Sequence, residues 1–199
     1  MEIKRAIDLG GDARDKISEL FVDGFYDDLK PFSKDKAKLA KACAHMFILR
    51  YFYVAIIDGE IAGIIACLNA GDEYCVQYDR RMLVRHLGLF RGVFACFGFR
   101  YLGRNPKYPR EVRTDEKTAS IEFVVTGTKY RKMGVATAIM DHLLSLPEYR
   151  DYVLEVVDTN TAAVELYKKL GFEEVHRRKF RWAKHSDFDY FVYMKCSRG

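Results

Sequence analysis

The run Arg131-Lys132-Met133-Gly134-Val135-Ala136 is the segment of this chain best suited to hold an anion. A helix start leaves its first backbone N–H groups unpaired and carries partial positive charge. A loop that enters it without bulky side chains can therefore wrap a phosphate. Gly134 and Ala136 remove that bulk, and Arg131 and Lys132 add charge beside it. Thr137, in the first turn beyond, carries a hydroxyl that can join a phosphate or stay neutral. The run is not the nucleoside-triphosphate loop, since no Gly-Lys-Ser/Thr ending follows, and only one glycine of the three-glycine dinucleotide loop is present. On these residues alone an ordinary strand-to-helix turn stays open. Some thirty residues on stands Asn160-Thr-Ala-Ala-Val-Glu-Leu-Tyr-Lys-Lys-Leu-Gly-Phe172.

The elements that must position these residues follow from periodicity and breakers. A strand is expected over 119–126, a helix over 134–146 ended by Pro147, a strand over 152–157, and a helix over 160–170 closed by Gly171. Strands over 172–176 and 188–195 finish the chain. Upstream, 3–9 reads as a strand ended by Gly10-Gly11, 13–29 as a helix stopped by Pro31, and 33–47 as a helix with Ser33 as N-cap. The runs 52–57 and 61–68 flank Asp58-Gly59 and should pair as an antiparallel hairpin. Residues 71–117 look like a helical insertion. This order predicts an α/β chain, with a mixed sheet and helices on both faces.

Composition narrows the class. With 199 residues and about half of them hydrophobic, one domain over 1–199 is expected. The net charge of +5 is scattered, so no nucleic-acid partner is expected. Five cysteines without a CxxC pair or a histidine at ligand spacing argue against a disulfide framework and against a metal. The N-terminus lacks a signal-peptide pattern and no run reaches membrane-span length, which predicts a cytoplasmic chain without a span. The histidines, His185 among them, are dispersed, so a Cys-His nucleophile is disfavoured.

The two motifs, in this order, resemble the GNAT superfamily of acyl-CoA-dependent N-acetyltransferases. The resemblance covers residues 119–175 and rests on Arg131, Gly134 and Ala136 in the loop and on Asn160, Ala163, Leu166, Tyr167, Gly171 and Phe172 downstream. It implies a mixed, mostly antiparallel sheet of six to seven strands flanked by helices, with a splayed pair of parallel strands at the cofactor site. It also implies acetyl-CoA as acyl donor, its pyrophosphate on the amides of residues 131–136, its pantetheine arm along strand 121–126, and its carbonyl near the backbone of Val124, Val125 and Thr126. The family often has Pro where Thr128 stands, which costs loop rigidity. Monomer and homodimer both suit the resemblance.

The chemistry implied is direct acetyl transfer within a ternary complex to a primary amine of a small molecule or a protein terminus. A lysine-like amine must lose a proton at about 4.6 kcal/mol at neutral pH, so a base is worth having, whereas an α-amino group needs only about 1.4 kcal/mol. Glu122 is the candidate base: several family members use a Glu from this strand, and regular alternation puts residues 122, 124 and 126 on one face. A solvated or ion-paired strand residue is the other reading. Tyr167 matches the tyrosine that lies near the CoA sulfur and is the candidate acid, or else a packed aromatic. Asn160 caps its helix or touches pantetheine. The alternative function is a non-catalytic acyl-CoA sensor or interaction module.

Two regions remain. In the insertion, Leu87, Phe90, Val93, Phe94, Phe97 and Tyr101 alternate with Arg81, Arg85, Arg91, Arg100 and Arg104, and Gly103 weakens the helix. A lid over the acceptor, a core or dimer contact, and a membrane-surface face are all consistent with it. Near the C-terminus Phe180, Trp182, Phe188, Tyr190, Phe191 and Tyr193 can line an acceptor cleft or fill a core.

Overall fold

The computed structural model describes residues 1–9, 12–71, 74–102, 108–181 and 187–198, and the side chains of 100–102 are not among them. The expectations at Gly10, Gly11, Gly103, Arg104, Trp182 and His185, and at the side chains of Arg100 and Tyr101, lie outside the described residues. The chain has two compact units. One comprises Met1–Ala66, Glu73–Lys107 and Phe123–Ile139, the other Cys67–Asp72, Tyr108–Glu122 and Met140–Gly199.

One seven-stranded sheet has the order β1-β2-β3-β4-β5-β7-β6, from β1 (Glu2–Arg5), β2 (Phe52–Ile57), β3 (Glu60–Asn69), β4 (Thr118–Thr126), β5 (Asp151–Val157), β6 (Glu173–Lys179) and β7 (Tyr190–Ser197). It is mixed and mostly antiparallel, as expected, with β4 and β5 parallel. The β4–β5 ladder ends at Ile121↔Leu154, although β4 continues to Thr126 and β5 to Val157. That early end is the counterpart of the splayed pair.

In the first unit, β2 and β3 form the expected hairpin, with Asp58 (φ 51) and Gly59 (φ 80) both in the left-handed region that a two-residue turn of this kind needs. The expected strand over 3–9 stops at Arg5, where a 3-10 turn over Ala6–Asp8 begins. The expected helix over 13–29 is two, α1 (Arg14–Gly24) and α2 (Tyr26–Leu29), parted at Phe25 (φ −116, ψ 25). Tertiary packing overrides the periodicity there: Phe25 leaves helical geometry to set its ring 5.1 Å from Phe21 and 5.8 Å from Phe123. The third helix, α3 (Lys36–Cys43), is capped by Asp35, whose carboxylate accepts the Lys38 N–H at 3.0 Å. Ser33, the expected cap, accepts the Asp35 N–H at 3.2 Å instead. Within residues 71–117 stand two helices, α4 (Arg80–Leu87) and α5 (Leu89–Leu102).

In the second unit, β5 pairs with β7 along its whole length, and β6 lies outside β7. Its core includes Ala70, Val112, Val153 and Tyr193, with Tyr108 and Phe191 packed on them. The helix α6 (Val135–Leu144) ends where the buried Tyr152 hydroxyl donates to Leu143 O at 2.7 Å, and α7 (Thr161–Lys169) follows β5.

Candidate functional site

The anion loop belongs to the first unit. After β4, Gly127 N–H donates to Ala62 O at 2.8 Å, and a 3-10 turn spans Thr128–Tyr130. Tyr130 anchors it by donating its hydroxyl to Glu60 Oε2 at 2.6 Å. Lys132 (φ 63) and Gly134 (φ 76) then take left-handed backbone on either side of Met133. Such a conformation costs a lysine about 1–2 kcal/mol, and it is the kind of local strain that functional loops retain. Gly134 adopts it freely, and its carbonyl accepts the Ala138 N–H at 2.9 Å, which starts α6. The amides of Val135, Ala136 and Thr137 thus stand at N1–N3, where a helix offers no partner. Val135 is buried, whereas Arg131, Lys132, Met133 and Gly134 are exposed.

In the strand before the loop, Phe123 has φ 50. This bulge-like residue interrupts the alternation that places residues 122, 124 and 126 on one face. Its ring is gripped by Phe21 at 5.4 Å and Phe52 at 6.3 Å, which holds the backbone in that conformation. Val124 and Thr126 are half-buried and Val125 is buried. The hairpin approaches closely here: a Cβ on Gly63 would meet Val135 Cγ1 at 2.6 Å and Val125 O at 2.9 Å.

The second unit holds Asn160, Tyr167 and Glu122. Asn160 caps α7, its Oδ1 accepting the Ala163 N–H at 3.2 Å. At the other end of α7, Phe172 N–H donates to Tyr167 O at 3.0 Å and Gly171 N–H to Lys168 O at 3.1 Å, with Gly171 at φ 87. These two bonds make a Schellman motif, and the Tyr167 and Phe172 rings, 6.0 Å apart, are its hydrophobic contact. The spacing Tyr-x-x-x-Gly-Phe is therefore a device that fixes Tyr167. Burial pushes the Tyr167 phenol up to about 12, and its hydroxyl has no hydrogen bond among the described residues.

Glu122 is half-buried and accepts the Ser120 hydroxyl at 2.8 Å, and Ser120 lies 2.6 Å from the Tyr108 hydroxyl. Tyr108 is a residue of the insertion, so that segment reaches the candidate base. Glu155 lies one residue past the last parallel pair. The neighbouring protein raises its pKa, against the lowering effect of Tyr193 and Arg178, although the side chain keeps 37% of its surface in water. Tyr193 is its cross-strand partner, and the buried Tyr193 hydroxyl is directed at the Glu155 carboxylate without reaching full hydrogen-bond geometry. Tyr108, Ser120 and Glu155 escaped the sequence reading, whereas Tyr193 was named only among the C-terminal aromatics. Ser120 had a signal, two residues from Glu122 on one strand face, and Glu155 could be aligned only once the register was known. Among the described residues no group of side chains could hold a metal ion, and no helix is long and apolar enough to cross a membrane.

The family model described as Acetyltransferase (GNAT) family matches residues 15–172. N-alpha-acetyltransferase 50 of Danio rerio is 29% identical over 73 residues, which are 35% of this chain and 44% of that protein, so the match spans less than half of the relative. An N-acetyltransferase from Staphylococcus aureus Mu50 has the same fold, with a TM-score of 0.66 at 20% identity over 98% of this chain and 100% of that one. PH1933 from Pyrococcus horikoshii OT3 superposes with a TM-score of 0.55 at 19% identity over 100% and 98%. With the family model running through most of its length, this chain belongs to the GNAT acetyltransferase family.

Proposed function

We propose that the chain transfers the acetyl group of acetyl-CoA directly to a primary amine, borne by a small molecule or a protein terminus. The observation that carries this reading is the opening of α6, where the N1–N3 amides follow two left-handed residues and two exposed cations, a cradle suited to a pyrophosphate. On this reading the backbone from Arg131 to Ala136 holds the phosphates, with the Thr137 hydroxyl beside them. The backbone of Val124, Val125 and Thr126 stabilises the thioester oxygen as it gains charge. Asn160 meets the pantetheine arm as well as capping α7.

The amine nitrogen attacks the carbonyl carbon and the C–S bond breaks. The nitrogen gives its proton to Glu122 through water. Ser120 donates to one oxygen of that carboxylate and orients it. Tyr167 faces the leaving sulfur on this reading. With its phenol near 12, full transfer to a thiolate of pKa about 8.5 is uphill by about 5 kcal/mol. Its acid role is thus a hydrogen bond donated to the sulfur as charge builds.

The test is thiol release from acetyl-CoA over a panel of primary amines. Tyr167→Phe should lower kcat by about 10- to 100-fold with acetyl-CoA binding unchanged. Glu122→Gln should lose most with the most basic amines and recover as pH rises. Unchanged turnover in Tyr167→Phe removes its role. Binding of acetyl-CoA with no turnover on any amine would identify a sensor instead.

A further inference from the structure

The helix α5 presents an apolar face to water. Its inward side carries Gly92, Ala95 and Phe99, with the Phe99 ring 5.9 Å from Phe32. Its outward side carries Phe90 and Phe97, 89% and 67% exposed, beside Phe94, 57% exposed with its ring 5.5 Å from Phe32, and Leu89 at its start is 62% exposed. The spacing i, i+4, i+7 aligns the three rings in one stripe. Apolar surface in such a stripe marks an interaction site more often than a solvated face.

The segment that carries it has charge of one sign. Residues 80–110 include eight lysines and arginines and no aspartate or glutamate. Arg80, Arg81 and Arg85 are exposed on α4, and Arg91 is exposed on α5. Arg91 also lines a hollow of about 390 Å³ with Ser33, Lys34, Lys38 and Lys30, the last paired with Asp27 at 2.8 Å. The one carboxylate lining it, Asp35, is engaged in capping α3. The aromatic stripe is thus continuous with a cationic hollow.

This combination selects the occupant. A second copy docked by a twofold axis would set arginines against arginines. A nucleic acid would take the cations and leave the phenyl rings in water. An anionic bilayer satisfies both, with rings at the acyl boundary and cations among phosphate headgroups. We propose that α5, with Arg91 and the hollow of Lys34 and Lys38, docks this protein on the surface of an anionic lipid bilayer. The helix lies on the membrane and does not cross it. This inference stands independently of acetyl transfer.

The test is sedimentation of the 199-residue chain with vesicles of phosphatidylcholine alone, or of phosphatidylcholine and phosphatidylglycerol in equal parts. Binding is expected to the mixed vesicles, to fade with added salt, and to be weak on neutral ones. The double variant Phe90→Ser, Phe97→Ser should cut partitioning at least about tenfold, since both rings are exposed and their loss leaves the core intact. Lys34→Ala with Arg91→Ala should weaken binding to the anionic vesicles alone, and it carries the test should the first variant lower the melting temperature. Absence of binding to mixed vesicles, or equal binding after these substitutions, overturns the proposal. Without vesicle binding, a dimer that Phe90→Ser breaks would assign the stripe to a second copy. A shift by duplex DNA without vesicle binding would assign the surface to nucleic acid.

Discussion

Tyr167 keeps its proton well past the range of a free phenol, because it sits 5% exposed in the C-terminal turn of α7. The sign of the consequence is fixed: the folded state holds the proton up to about 12, whereas the unfolded chain releases it near 10. The contribution to stability is complete below pH 10, falls through the interval between, and is lost above about 12. In alkaline denaturation Tyr167→Phe should therefore remove about one proton from the pH dependence between 10 and 12, a change read from unfolding curves at several pH values. The local settings of Tyr167 and Asn160 were legible in the sequence because their neighbours along the chain, Phe172 and Ala163, complete their local bonds. Tyr108 was not legible. It bonds Ser120, twelve residues away, from within a segment whose path no local pattern dictates.

At the scale of elements, local chemistry spoke clearly where a turn decides and poorly where packing does. Asp58-Gly59 announced its hairpin, whereas Phe25 left its helix for an aromatic cluster gathered from α1, β2 and β4. Ser33 and Asp35 are both good caps by type, and only the geometry of the first turn of α3 chose between them. The approach of β3 to the start of α6 is likewise invisible in sequence, yet it bears on the loop. Gly63→Ala places a methyl against Val135 and the Val125 carbonyl. It should cost about 1–3 kcal/mol by overpacking and, because Val135 opens α6, weaken acetyl-CoA binding as well. Thermal unfolding and a CoA titration of the variant check both halves.

At the scale of the whole molecule, element order was enough for the fold class, but not for the insertion of β7 between β5 and β6, since that pairing joins residues far apart in sequence. None of the five cysteines is in a disulfide, and burial pushes Cys43 and Cys67 up to about 12, while Cys75 and Cys196 are buried too and Cys96 is half-buried. A thiol reagent at neutral pH should modify one site quickly and four only after denaturant unfolds the chain, a pattern that mass spectrometry resolves. The Schellman turn at Gly171 and Phe172 has a consequence for descent. The lock closes on the backbone and ring of Tyr167, and the phenolic oxygen takes no part in it. If Tyr167 is the donor proposed above, a descendant that exchanged it for phenylalanine would keep its architecture and lose only that donor, so that the rate of transfer can drift by one atom without any cost to the fold.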